Sequence, residues 1–486
     1  MKKQNKRHIL IGQTQTSLIK EDQKLLAIDY SAIKANHFGI FGKSWSWKTW
    51  ALTSVLFGTI KESIITYYDD LSIQPDTFLV LDPHNSNIPP LLSLLKDFYT
   101  KNPEYSRTSH IQKFVKEILN SESDETSVYR GHYMEKALIF NPLASKRLMN
   151  DISYLNKATN LNMSALKSIF DFSSFGPRNS EAIEWILKTF LFINSYILRE
   201  TPSYTLLSYK DIYKLFDELK KTGKLPNWIT THLKTIYGSA NKDTKEIIDS
   251  INSSLKSLSS NLLWNKEYYD TTITKFKDFT WDLWDTFWYC QSYSDLTLDL
   301  EDVYWEHNIE TRCFFLDLSA FSNIERKVII AFFYNGSYFL WSLKNHQNPT
   351  LWTHWVICDE FQSFLELKGS KNYLIDLLEK WTNELRKYNT FYWIVLQSVP
   401  VELKDLLNNL WFIFVFSLPP EQAEMFTDIL SYWINKDFAE ITEKNISNLK
   451  RWEFFASFDT IEYWLLTVIS KSLDINNPKI REMLIN

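Results

Sequence analysis

The sequence predicts an α/β fold: a mostly parallel sheet covered by helices, interrupted by an all-helical insertion and preceded by a short β-rich lead-in. Three observations predict it. Apolar runs of strand length alternate with helical stretches from His37 to Asn141. From about 145 to 300 only helical periodicity remains. Strand-like runs then resume at Cys313 and recur to Phe416. The boundaries that follow are 1–36 for the lead-in, 37–144 for the first part of the α/β domain, 145–305 for the insertion and 306–486 for its second part.

Within residues 8–36, Leu25 to Tyr30 reads as a strand. Phe38-Gly39-Ile40-Phe41 is the next, and a helix follows through Trp50 to Leu56. Thr77 to Asp82 and Ala137 to Phe140 continue the strand series. In the insertion, Ser208-Tyr209-Lys210-Asp211 is a capped helix start, and Gly223 after Lys220-Lys221-Thr222 is a helix end. Beyond it come the strand Cys313 to Leu318, a buried apolar helix from Val328 to Leu343, and strands at Trp355 to Glu360, Phe391 to Leu396 and Phe412 to Phe416. No internal repeat or low-complexity linker separates these parts, so the insertion belongs to one compact body.

At 486 residues, the chain can bury a large core in two or three structural units. Hydrophobic residues at 45% with charged residues at 23% exclude a disordered chain. A net charge of −5 carries no global basic signature, so any contact with nucleic acid comes from a local surface or an assembled pore. Cys290, Cys313 and Cys358 are too few and too scattered for a disulfide framework and read as buried thiols in a reducing compartment. The basic start Met1 to Arg7 is followed only by Ile9-Leu10-Ile11, too short for a signal peptide or anchor. The run Val328 to Leu343, broken by Asn335-Gly336-Ser337, falls short of the roughly 20 residues of a membrane span.

Between the first strand of the α/β domain and its helix stands Gly42-Lys43-Ser44-Trp45-Ser46-Trp47-Lys48-Thr49. This is a phosphate-binding loop with tryptophan at two positions where glycine belongs. The glycine before the lysine lets the backbone curl with positive φ and press its N–H groups on the phosphates, and an indole there would fill that space. Composition offers an explanation. Glycine is 10 of 486 residues while tryptophan is 19, and counting both as glycine brings its share to about 6%, near the usual 7% or so. Trp45 and Trp47 are then glycines encoded by UGA in a bacterial code that reads that codon as glycine. Trp411, before a strand, and Trp452, in a turn, fit the same reading. The rival is an aromatic-rich protein with a dead nucleotide loop.

Lys48 is placed to reach the β- and γ-phosphates of ATP and the Thr49 hydroxyl to ligate Mg²⁺. The strand ending in Asp359-Glu360 supplies the complement: Asp359 to hold Mg²⁺ through water and Glu360 to polarise the attacking water. Gln397, at the end of a neighbouring strand, is either a γ-phosphate sensor or an ordinary strand-end amide. Arg386 is either a finger reaching a neighbouring subunit's nucleotide or part of a solvated helix face. Asp82-Pro83-His84 lines the nucleotide or DNA path, unless His84 is a turn residue.

In this order the pieces resemble the HerA/FtsK superfamily of P-loop motor ATPases, and most closely the conjugative coupling proteins of type IV secretion. His37 before the loop strand, Asp82-Pro83-His84, Asn141-Pro142-Leu143, and Phe175-Gly176-Pro177-Arg178 are similar to its motifs. So are Asp359-Glu360-Phe361-Gln362-Ser363-Phe364, Arg386-Lys387-Tyr388, and the segment Trp411 to Glu424 with Pro420-Glu421-Gln422-Ala423-Glu424. The resemblance implies a RecA-like P-loop motor domain that assembles as a homo-hexamer, hydrolyses ATP with Mg²⁺ at subunit interfaces, and moves DNA through a central pore. The family's transmembrane anchor has no counterpart, so a cytoplasmic protein at the inner face of the membrane would dock through a secretion-channel partner. Two rivals stand beside delivery of DNA to such a channel. One is a DNA-processing translocase working with a nuclease. The other is a nucleotide-dead scaffold, which follows if Trp45 and Trp47 are genuine.

Overall fold

A computed structural model of the chain describes residues 8–14, 25–34, 36–44, 47–71, 73, 75–106, 128–129, 141–145, 148, 150–170, 176–200, 205–264, 269–270, 272–277, 313–338, 353–362, 371–407, 410, 412–431, 442–458 and 466–486. The described strands form one sheet: β1 (His8–Thr14), β2 (Leu25–Asp29), β3 (Phe38–Phe41), β4 (Thr77–Asp82), β5 (Val128–Tyr129), β6 (Cys313–Asp317), β7 (His354–Cys358), β8 (Thr390–Leu396), β9 (Phe412–Phe416), β10 (Glu453–Phe458) and β11 (Leu466–Lys471). Their spatial order is β2-β1-β11-β10-β9-β3-β8-β7-β4-β6-β5. From β9 to β5 every pairing is parallel, and from β9 outward to β2 every pairing is antiparallel.

The parallel strands are apolar along their whole length because both faces are covered. β3, β4, β6, β7, β8 and β9 are buried at every residue. Successive side chains divide between two cores, as the period of two requires. Phe78, Val80, Trp355, Ile357 and Trp393 pack with the helices α1 (Lys48–Asp69) and α2 (Ile88–Lys101). Leu79, Leu81, Val356, Cys358, Tyr392 and Ile394 face the other core. That second core also takes in residues of the helices that lie in sequence between β5 and β6: α3 (Leu155–Ile169), α4 (Gly176–Glu200), α5 (Tyr209–Thr222), α6 (Asn227–Ser239) and α7 (Lys242–Trp264). α5 begins at a Ser208–Asp211 capping box and ends at Gly223 with φ 64°, the left-handed cap that glycine supplies at least expense. The apolar helix α8 (Asn323–Gly336) starts at a second capping box, Ser322–Glu325.

Two arrangements go beyond the sequence reading. β10 and β11 carry no strong strand pattern in sequence, yet they extend the sheet antiparallel from β9. Through β11 they also bring in β1, so the β1–β2 lead-in is an edge of the main sheet. The expected strand Ala137 to Phe140, along with Cys290, Trp45, Ser46 and Trp411, lies outside the described residues. Among the described residues, no helix is long and apolar enough to cross a membrane.

Candidate functional site

β3, β8, β7 and β4 are consecutive in the sheet and parallel, so all four finish at one edge. Each delivers a polar segment there: Gly42–Thr49 after β3, Gln397 after β8, Asp359-Glu360 after β7, and Asp82-Pro83-His84 at the end of β4. Open α/β sheets bind ligands at this carboxyl edge.

The loop leaves β3 clamped between its two neighbours. Gly42 N–H donates to the Leu396 carbonyl at 3.1 Å, and Lys43 N–H to the Ser417 carbonyl at 2.9 Å. Lys48 opens α1, buried, and its ammonium donates to the carbonyls of Gly42 (2.6 Å) and Lys43 (2.7 Å). The loop therefore closes around its own lysine. Burial holds Lys48 down to about 8, against the opposing pull of the nearby Asp359 and Glu360 charges. Thr49 sits half-buried in the same first turn of α1.

The acids are in the reverse condition. Burial, with the negative charges of Asp82 and Glu360 beside it, pushes Asp359 up to about 6. The amide of Asn87 donates to Asp359 Oδ2 at 2.7 Å and, with the Lys48 charge, partly offsets that pressure, while Ser86 Oγ donates to the same oxygen at 3.2 Å. Asp82 accepts the N–H groups of Asn87 (2.7 Å) and Ile88 (3.0 Å), anchoring the start of α2 beneath the site.

Glu360 is one of three described non-glycine residues with positive φ, at 55°, and the other two are asparagines, which adopt that region more readily. One carboxylate oxygen accepts from Gln397 Nε2 and the other from His84 Nε2. Gln397 in turn accepts from Ser44 Oγ, and its own backbone N–H donates to Gln362 Oε1 at 3.0 Å.

At Trp47 the structure departs from the expected curl. Its φ is −80°, in the region that a side chain with a Cβ prefers, and not the left-handed conformation that glycine takes readily. Its indole packs against Trp50 at 4.3 Å between centroids and lies 6.2 Å from Trp452. Not every tryptophan resembles it. Trp355 and Trp393 are fully buried in the sheet, and Trp355 Nε1 donates to Asp76 at 3.3 Å.

The structure therefore brings Gly42, Lys43, Ser44, Trp47, Lys48, Thr49, Asp359, Glu360 and Gln397 to one edge, while Trp45 and Ser46 lie outside the described residues. Arg386 is not among them. It occupies the turn before β8 and reaches Asn36 at 3.4 Å, on the amino edge. The seven residues of β8 place that turn about 20 Å from Gln397. His37 also lies on the amino edge, fully buried, with Nδ1 accepting from Tyr392 N–H (3.0 Å) and Nε2 meeting the Thr382 carbonyl (3.0 Å). Sequence placed Asp82-Pro83-His84 on the nucleotide or DNA path but did not pair His84 with Glu360, and it missed Asn87, the neighbour of Asp359, whose only signal was a place just past a strand end.

No family model matches the chain, and no curated protein matches it. The described chain has an α/β fold, with a mostly parallel sheet covered by helices on both faces. Among solved structures, the chain is similar to the bacterial conjugative coupling protein TrwBdeltaN70 in its unbound monoclinic form, with 11% identity and a TM-score of 0.49 over 92% of this chain and 88% of that one. It is also similar to VirB4 of Thermoanaerobacter pseudethanolicus, with 12% identity and a TM-score of 0.49 over 97% of both chains.

Proposed function

We propose that this chain is an ATP-hydrolysing motor that moves DNA, of the kind that couples DNA to a conjugative secretion channel. One observation carries the reading: the buried Lys48, its ammonium held by the Gly42 and Lys43 carbonyls of the loop after β3, shares the carboxyl edge with the buried Asp359 and with Glu360 and Gln397 from the neighbouring strands. Burial lowers Lys48 to about 8 and raises Asp359 to about 6, which fits a site for a charged ligand. In this reading Lys48 leaves the Gly42 and Lys43 carbonyls for the terminal phosphates, Glu360 takes the proton of the attacking water, and Gln397 senses the γ-phosphate.

Mg²⁺ fits the residues present. Thr49 and Asp359 offer one hydroxyl and one carboxylate, the sparse protein share that magnesium takes beside phosphates and water. A cation would also relieve the repulsion that raises Asp359. When bound, the metal neutralises charge developing on the phosphates.

The loop binds phosphate in this reading because positions 45 and 47 are glycine in the protein its own host makes. Arg386, on the far edge, serves only a neighbouring subunit, in a homo-hexamer whose pore carries the DNA. Docking at the inner face of the membrane falls to a channel partner.

DNA-stimulated ATP hydrolysis tests the proposal. The chain with glycine at 45 and 47 should turn over ATP faster when DNA is added, and Glu360→Gln should bind ATP yet lose about 10²–10⁴-fold in turnover. Turnover indifferent to DNA would remove the motor. A specific observation favours a second reading, a nucleotide-dead scaffold: Trp47 is packed on Trp50 beside the loop, as a genuine tryptophan would be. Absence of ATP binding would favour it.

A further inference from the structure

Four neighbouring strands contribute one side chain each to an unbroken hydrogen-bonded chain across the carboxyl edge. Ser44 after β3 donates to the Gln397 carbonyl oxygen after β8. Gln397 Nε2 donates to Glu360 after β7, and His84 at the end of β4 reaches the other oxygen of Glu360. A carboxylate only accepts, so its two partners must both donate. That fixes the Gln397 amide with its nitrogen toward Glu360 and its oxygen toward Ser44, and it puts the His84 proton on Nε2. The direction of every bond in the chain is thus determined by Glu360.

The backbone explains why such bracing is needed. With φ at 55°, Glu360 projects from a turn whose conformation does not favour its own side chain, and the carboxylate is aimed by what grips it. Backbone bonds secure the residues on either side: Asp359 N–H donates to Leu81 at 3.2 Å and Phe361 N–H to Val395 at 2.9 Å. Glu360 N–H is turned back onto Asp359 Oδ1 at 3.0 Å. Of the two side-chain grips, Gln397 is itself held by Gln362, whereas His84 rests on the turn after β4, where Asp82 accepts the His84 N–H at 3.2 Å. The same Asp82 carboxylate caps α2, so the orientation of His84 is tied to the seating of that helix.

We propose that His84 is a positioning residue for hydrolysis: it holds the Glu360 carboxylate across the edge from Gln397, so that the base faces the attacking water. This rests on the hydrolytic reading above. The described hydrogen bonds of His84 go to Asp82 and Glu360, at the ends of β4 and β7, neither of which pairs with the loop strand β3, so its loss should leave nucleotide affinity alone and lower only the rate of the chemical step.

The test is steady-state ATP hydrolysis by the chain with glycine at 45 and 47 as parent, and by its His84→Ala and His84→Gln variants, with ATP affinity measured separately. His84→Ala should lose about 10-fold or more in kcat with KM and ATP affinity unchanged. His84→Gln, whose Nε2 falls near the imidazole Nε2, should recover most of it. A parallel readout needs no turnover: in ¹⁵N-histidine NMR of the nine histidines, the signal absent from His84→Ala should mark an Nε2-protonated ring, and Glu360→Ala should shift it. Unchanged kcat in His84→Ala over a hydrolysing parent overturns this inference alone, as does a His84 signal indifferent to Glu360→Ala. A parent that does not hydrolyse ATP overturns the hydrolytic reading and this one with it.

Discussion

The two edges of the parallel sheet solve opposite problems with similar residues. On the amino edge two buried polar groups, Asp76 and His37, are each held by several partners. Asp76 accepts from Tyr30 (2.6 Å), Trp355 (3.3 Å) and the Thr353 N–H (3.0 Å) and pairs with Lys34 at 2.9 Å, while both nitrogens of His37 are bonded. On the carboxyl edge, the negative charges of Asp82 and Glu360 press on the buried Asp359, Lys48 is desolvated, and Glu360 sits in a left-handed conformation. The difference teaches which edge is for the fold. A protein tolerates unrelieved charge and strain where a ligand will relieve them, and natural sites keep that reserve at the expense of stability.

Removing an indole from each edge should break the comparison most visibly. Trp355→Gly empties a fully buried site and leaves Asp76 one donor short, so it should lose about 5 kcal/mol in urea unfolding. Trp47→Gly, at the half-buried helix cap, should change stability by less than about 1 kcal/mol, since glycine serves that position well. Equal losses at the two sites would mean that Trp47 is as structural as Trp355.

Acid titration sharpens the amino edge. Burial above all holds His37 down to about 3, with the Arg386 charge adding to it and the Thr382 bond opposing. The unfolded chain takes up this proton near pH 6.5, before the folded one does. The contribution is therefore fully present above pH 6.5 and is lost as pH falls toward 3, at about 1.4 kcal/mol per unit. His37→Asn should be less stable at pH 7 but show a shallower acid limb between those values. A limb of unchanged slope would show that the ring is not the group responsible.

The smallest effect lies on the carboxyl edge, where Glu360→Gly should raise stability by up to about 1 kcal/mol by removing the left-handed strain and one of the crowded charges. Its unfolding midpoint, compared with the parent's, checks this, and a large loss would mean that Glu360 is held for the fold.

The parallel strands were legible because burial on both faces writes continuous apolar runs, and the α5 boundaries because capping residues are local. Thr77 to Asp82 and Phe412 to Phe416 are strands to the residue. Strand order was not legible, since pairing across hundreds of residues leaves no local pattern. β10 and β11 escaped notice for a related reason: Glu453-Phe454-Phe455-Ala456-Ser457-Phe458 mixes polar and apolar residues without a clean alternation. At the site, Lys48, Asp359, Glu360 and Gln397 were chosen from motif chemistry, and the sheet places all four on one edge. The grip of His84 on Glu360 depends on β4 lying beside β7, which only the folded sheet supplies.

Calorimetric titration with Mg²⁺-ATP tests the central claim, that the carboxyl edge is built for a nucleotide, most directly. It should be made on the protein produced under its own host's decoding, beside Lys48→Ala. Binding in the parent that vanishes in Lys48→Ala, with the fold retained, is the expected result. No binding by the parent, or equal binding by both, would contradict it.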